Sequence, residues 1–186
     1  MKNKIRCAWC EKDDLYRNYH DNEWGKPVYD DQVLFEFLIL ETFQAGLSWY
    51  TILKKRENFR KAFASFDYKK VALFSEEKIQ ELLLDAGIIR NQLKIRAAVA
   101  NAIAFMKVQE EFGTFSKYIW NFTDGKPIDN NPKTLKDISS STPLSDAISK
   151  DLKKHGFKFV GTTVVYAHMQ ATGMVNDHLE NCWTRN

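Results

Sequence analysis

Apolar residues recur at the three-and-four spacing of a helix face along nearly the whole chain, and most of these stretches open on a capping side chain and close on glycine. Asp30 and Asp31 precede Val33, Leu34, Phe37, Leu38, Leu40 and Glu41, one wide face that Gly46 interrupts. Ser48 can cap a second helix from Trp49 to Arg56, Phe59 to Phe66 reads as a short helical stretch, and Asp67 starts another. Ser75 with Glu76 and Glu77 puts acid in a first turn, where the helix dipole favours it; that helix ends at Gly87. A long Ala-rich helix follows from Leu93 to Val108, and so short a link makes the pair a helical hairpin. Phe115–Phe122 adds a further helical turn, Thr142-Pro143 opens a helix that Gly156 closes, and Val164–Thr172 is the last helix, although its β-branched residues would also suit a strand. Asp129 to Ser141 is polar and irregular, a surface loop. With only eight glycines and four prolines in 186 residues, turn-dense all-β folds fit poorly. The expectation is an all-α protein, a single domain over residues 1–186.

Charge and length limit the functional classes. The chain carries 27 basic and 24 acidic side chains, a net +3 that neither requires nor excludes a polyanionic partner. No apolar run approaches the roughly 20 residues that span a bilayer, and the basic N-terminus has no apolar stretch behind it. A cytoplasmic protein with no membrane partner is expected. Nothing resembles a sustained coiled-coil seam, so a monomer is expected too.

Cys7, His20, His178 and Cys182 form the first set with chemistry in it. His178 and Cys182 stand four apart, the spacing that shares one face of a helical turn, and Cys7-x12-His20 would supply two ligands from the other terminus. Cys2His2 suits tetrahedral Zn²⁺, and four protein ligands would make the ion structural. Cys7-x2-Cys10 is itself a ligand spacing, and buried cysteines with surface histidines explain the same residues without metal. His155 and His168 read as structural.

Glu41 falls on or beside an apolar helix face, where a carboxylate is costly unless paired or functional. Gln44, Gly46, Leu47 and Trp49 follow at a helix junction, a mixture able to place a carboxylate and a flat ring around a base-sized ligand; an acid reaching solvent beside a core Trp49 is the plainer account. Trp9, Tyr16, Tyr19 and Trp24 crowd what reads as a short charged loop, where aromatic rings can stack on bases or fill a core. Arg90 and Lys94, just after the hairpin turn, could meet a phosphate or simply line a solvated face.

Six segments in order resemble the 3-methyladenine DNA glycosylase I family. They are Tyr19-His20-Asp21-Asn22-Glu23-Trp24-Gly25, Gln44-Ala45-Gly46-Leu47-Ser48-Trp49, Leu53-Lys54-Lys55-Arg56-Glu57-Asn58-Phe59-Arg60, Asp85-Ala86-Gly87-Ile88-Ile89-Arg90, Lys158-Phe159-Val160-Gly161-Thr162-Thr163 and Val175-Asn176-Asp177-His178. The resemblance runs from about Cys7 to Cys182. It implies a monofunctional base-excision glycosylase, without a lyase step, that flips N3-methyladenine out of alkylated double-stranded DNA and hydrolyses its glycosidic bond. It also implies structural zinc on Cys7, His20, His178 and Cys182, tying the two termini, with Cys10 a bystander. A helix-hairpin-helix at about residues 76–108 would grip the DNA backbone, with Gly87, Ile88, Arg90 and Lys94 at its turn. Gln44, Gly46 and Leu47 would fill the gap left by the extruded nucleotide. Glu41, Tyr16, Tyr19 and Trp49, with Trp9 nearby, would form the base pocket, Glu41 being the candidate catalytic group. Related hairpin glycosylases place a catalytic Asp beyond the hairpin; Ala97–Phe105 holds none, in keeping with this subfamily. A zinc-stapled helical module that binds DNA without catalysis accounts for the same ligands and hairpin, but has no need of Glu41 beside Trp49; a plain helical interaction protein leaves the six ordered segments unexplained.

Overall fold

The computed structural model describes residues 4–185. Its helices are α1 (Asp14–Asn22), α2 (Asp31–Gln44), α3 (Trp49–Ala62), α4 (Tyr68–Val71), α5 (Glu76–Leu84), α6 (Gln92–Phe112), α7 (Phe115–Trp120), α8 (Pro143–Lys154) and α9 (Thr162–Ala171). Two two-residue strands, β1 (Ile128–Asp129) and β2 (Val175–Asn176), pair in parallel. The all-α reading holds. Among the described residues no helix is long and apolar enough to cross a membrane.

Capping side chains set the starts as the sequence suggests. Asp30, Ser48, Ser75, Asn91 and Thr142 each accept a hydrogen bond from a backbone N–H in the first turn of the helix they open. Three differences from the sequence reading matter for the site. The Tyr16–Tyr19 region is helix α1, capped by Asp13, rather than a loop. The stretch to Arg56 and the one that follows merge into a single helix, α3, with a 3₁₀ turn at Ala64–Phe66. His178 and Cys182 share no helical turn: the chain there is an irregular segment after β2. Gly173 ends α9 and two residues later β2 pairs with β1, which redirects the chain before a helix can restart.

Helix α2 is the axis of the core. Every residue from Leu34 to Phe43 is buried, with α9, α3, α6 and α7 around it. Phe35, Phe43, Phe59, Phe63, Phe66, Phe105, Phe115 and Phe157 fill the space between these helices. At its N-terminus Asp31 does two jobs. It supplies acid to its own first turn, and its carboxylate accepts from the Phe115 and Ser116 N–H groups at 3.0 and 2.8 Å and from the Gln109 amide at 2.6 Å. That carboxylate joins α2 to the end of α6 and the start of α7. Asp31→Ala is therefore expected to lower the unfolding free energy by about 2–3 kcal/mol in a denaturant titration, the range for hydrogen bonds to a charged group; a loss under about 0.5 kcal/mol would remove Asp31 from this role.

Candidate active site and metal-ligand cluster

Helices α1, α2, α3 and α9 meet around a cavity of about 290 Å³, close to the lower limit of small-molecule sites. Its walls include Trp9, Tyr16, Tyr19 and Trp49, and Glu41 projects into it from α2. Tyr19 lies 5.2 Å from Trp49 and Tyr16 lies 4.9 Å from Trp9, ring centre to ring centre. These are the residues the sequence singled out, brought together from three segments. Sequence reasoning missed Leu135 and Ile138, which the polar loop after β1 folds back to supply, and Ala167 and Gln170 from α9. Two apolar residues in an otherwise polar loop were the available signal.

Glu41 is 3% exposed and, among the described residues, its Oε2 has no hydrogen-bond partner. Burial pushes its carboxyl up to about 8, so at neutral pH much of it is protonated. The negative charge it would acquire is felt by both tyrosines: the Tyr19 hydroxyl is raised first by burial and then by Glu41, and the Tyr16 hydroxyl by burial, then Cys10, then Glu41. The Trp49 indole N–H is likewise buried without a partner. An unpaired carboxyl inside an aromatic cage is arranged for a ligand that brings hydrogen-bond donors and positive charge.

The loop after α2 borders this cavity and a second one, lined by Glu41, Gln44, Ala45, Gly46, Leu47, Thr163, Val164 and Ala167. Gly46 has φ +82° and Leu47 is 42% exposed. On the far side of α3 the 85–91 turn joins α5 to α6 as a helical hairpin. There the Asp85 carboxylate accepts from the Gly87 N–H at 2.7 Å, and Arg90 is exposed. Ile88 is 3% exposed and packs into the core, and its N–H donates to the Asp85 carbonyl at 3.4 Å. Lys94 is 7% exposed, with its ammonium donating to the carbonyls of Phe43 and Ala45.

Beyond the aromatic wall lies the cysteine–histidine cluster. The ligand atoms of Cys7, His20 and Cys182 lie within 4.8 Å of one another, and all three residues are buried. The His178 ring meets His20 edge-on, centroids 4.8 Å apart, and its Nε2 is buried without a partner. Cys10 is buried outside the group. Three of the four expected donors come together as a shared ion requires: His20 Nε2 is 3.5 Å from Cys182 Sγ, against about 3.6 Å for nitrogen and sulfur on one zinc at standard bond lengths, while His178 adjoins this group through its ring contact with His20 rather than belonging to it. Both rings are oriented from behind. His20 Nδ1 bonds Asp21 at 2.8 Å, itself held by Arg6, and His178 Nδ1 bonds Asn176 at 2.9 Å. Burial raises the Cys7 thiol to about 12, a group that needs a cation beside it to become a thiolate. Asp177, which the sequence reading left without a role, accepts from Tyr166, Gln170 and Asn130 and anchors the segment that carries His178. Gly25 explains its own place: with φ +74°, any Cβ there would lie 2.7 Å from the His178 ring.

The cluster and the cavity share a wall. Trp9 meets Tyr16 on one side and the His20 ring, at 5.2 Å, on the other; Trp24 meets Trp9 at 5.0 Å and His178 at 4.6 Å. Whatever fixes the histidines fixes two rings of the pocket.

Residues 9–186 match the model of the methyladenine glycosylase family. An Escherichia coli K12 protein, DNA-3-methyladenine glycosylase 1, is 51% identical over 177 residues, which is 95% of each chain. A crystal structure of a 3-methyladenine DNA glycosylase I superposes with a TM-score of 0.92 at 50% identity, covering 96% of this chain and 98% of that one. The Staphylococcus aureus glycosylase I, solved to give the structural basis of 3-methyladenine recognition, superposes with a TM-score of 0.94 at 39% identity, covering 97% and 96%. The chain belongs to the methyladenine glycosylase family, enzymes that hydrolyse an N-glycosyl bond to remove an alkylated base.

Proposed function

We propose that this protein flips N3-methyladenine out of alkylated duplex DNA and hydrolyses its bond to deoxyribose, with no lyase step. The observation that carries the reading is Glu41: a buried carboxyl with an unpartnered oxygen inside a cage of Trp and Tyr rings. N3-methylation makes adenine cationic, so the base is already a good leaving group and needs no strong general acid. What the pocket has to supply is recognition of that cation. A cation entering beside Glu41 favours its carboxylate form, which then accepts from the base's N–H donors. The tyrosines and Trp49 add cation–π attraction of about 0.5–2 kcal/mol each. A neutral base gains none of this and still bears the flipping cost of a few kcal/mol, which falls less heavily on a damaged base. When the C1′–N9 bond breaks, its electron pair leaves with the base and neutralises the base's charge; water adds to C1′ and gives up a proton. Glu41 is the candidate for orienting that water. Among the described residues no lysine lines the cavity, which supports a step through water rather than through a covalent imine.

In this reading the 44–47 loop fills the gap in the duplex, with Leu47 as the exposed apolar tip. The helical hairpin, with Arg90 exposed at its turn, holds the phosphates as a helix-hairpin-helix. Zn²⁺ on Cys7, His20, His178 and Cys182 would be structural, its four protein ligands leaving no open position for catalysis, and it would keep Trp9 and Trp24 in the pocket wall.

Incubated with methylated duplex, the protein is expected to release 3-methyladenine and little 7-methylguanine, as identified by mass; no release from a folded, metal-loaded sample that still binds DNA would leave the non-catalytic module. Glu41→Gln is expected to weaken binding of duplex carrying N3-methyladenine by roughly tenfold or more while changing affinity for undamaged duplex by less than about twofold. Equal losses in both would contradict the pocket assignment. Cys182→Ser should lower the metal content below one ion per chain and depress the melting temperature, with the folded fraction still active. Folded, metal-free protein that is inactive at normal stability would show the ion to be more than structural.

A further inference from the structure

Two lysines cross between the loop and the hairpin in opposite directions. Lys94, in the first turn of α6, sends its ammonium back to the C-terminus of α2, donating to the carbonyls of Phe43 at 2.9 Å and Ala45 at 2.6 Å. Lys55, on α3, donates the other way, to the carbonyls of Ala86 and Gly87 in the hairpin turn at 3.0 and 3.1 Å. Asn58, one turn further along α3, reaches the Gly87 carbonyl at 3.4 Å. The result is a closed circuit: the end of α2, the 44–47 loop, α3 from its Ser48 cap, the 85–91 turn, and the start of α6 back to α2.

Electrostatics says the placement of Lys94 is not incidental. A cation in the first turn of a helix opposes that helix's own dipole, so Lys94 is disfavoured in α6. At the C-terminus of α2 the same charge is favoured, and it satisfies carbonyls that α2 has no further turn to bond. The ammonium is buried on this duty and is not presented to a phosphate. The loop it holds needs holding. Gly46 takes a left-handed conformation with open space where a Cβ would be, and Leu47 projects outward.

We propose that Lys94 and Lys55 form a reciprocal clamp that makes the 44–47 loop and the hairpin turn one rigid unit, Lys94 being a positioning residue for the loop that displaces the damaged nucleotide. The inference rests on the reading of loop and hairpin as DNA-facing. It gives Lys94 a different task from the phosphate contact that its place in the sequence suggests. Through the clamp, the hairpin's hold on the backbone fixes where Leu47 enters the stack, and a loop displaced by about 1 Å would cost on the order of a hundredfold in rate.

The test compares Lys94→Met, which keeps the stem and removes the amine, with Lys94→Gln, which keeps one donor. Free 3-methyladenine binding is read from tryptophan fluorescence, duplex binding on undamaged DNA, and base release under single-turnover conditions with enzyme in excess. Lys94→Met is expected to bind free base and undamaged duplex within about twofold of wild type while releasing base roughly tenfold or more slowly, with Lys94→Gln between the two. Lys55→Met is expected instead to weaken duplex binding and leave free-base binding as it is. Release at the wild-type rate in a folded Lys94 variant overturns the clamp. So does slow release matched by an equal loss of free-base binding, since that is general destabilisation. If Lys94→Met does not fold, Lys94→Gln is judged by the same two criteria. Leu47→Gly and Arg90→Ala, in otherwise wild-type protein, separate the two levels of the argument. If they leave duplex binding and release unchanged, the DNA-facing reading itself fails; if they impair both while Lys94→Met impairs neither, only the clamp fails.

Discussion

Helix α2 is enclosed over ten consecutive residues, so every polar group it carries has to be answered from inside the protein. Glu36 is answered by Arg56 and Arg60, at 2.5 and 2.8 Å. The Thr42 hydroxyl bonds the Leu38 carbonyl of its own helix at 3.0 Å. The carbonyls at its C-terminus are answered by Lys94. Glu41 keeps an oxygen with no partner among the described residues, five residues on from a carboxylate that has two arginines. A fold able to pair Glu36 so fully could pair Glu41 as well, and the cavity stands where such a partner would be. In the proposed function, substrate supplies what the protein leaves out, and the stability given up at Glu41 would be returned when a cationic base enters.

The rest of the site follows from keeping that carboxyl in place. The aromatic wall around it offers ring faces to a ligand. Two of its members, Trp9 and Trp24, rest against the histidines of the Cys–His cluster, so order at the chain termini carries into the pocket. The segment bearing His178 is held by Asp177 through three side-chain hydrogen bonds, and Asp177 in turn bonds Gln170, itself a pocket residue. The Cys–His cluster and the cavity therefore share supporting residues rather than lying in separate regions.

Much of this was legible in the sequence because its signals are local or ordered along the chain. Capping residues with a three-and-four apolar spacing placed the helices, and Glu41 on an apolar face announced itself by cost alone. The collinear segments identified which distant residues belong to one site. What the sequence hid depended on tertiary context. The aromatic residues between Trp9 and Trp24 look like loop because charge interrupts their periodicity, yet Asp13 caps them into α1 and Tyr50 bonds that cap from α3. His178 and Cys182 stand at helical spacing without a helix, because the parallel pairing of Val175 and Asn176 with Ile128 and Asp129 sets the chain direction there. Leu135 and Ile138 reach the pocket only once β1 has folded back on β2. Lys94 reads as a surface cation since its carbonyl partners lie about fifty residues earlier, at Phe43 and Ala45. His168 is buried with neither ring nitrogen partnered, so the structural role expected of it is one of packing rather than hydrogen bonding.

The account stands on Glu41 being an unpaired, largely protonated carboxyl until substrate arrives. A ¹³C NMR titration of the Glu41 side-chain carboxyl in the free protein measures this directly. The account predicts a midpoint near 8, far above an ordinary carboxylate. A midpoint in the ordinary range, about 4, would mean that water or a protein donor already satisfies Glu41, and the pocket would then not be held open for a cationic base.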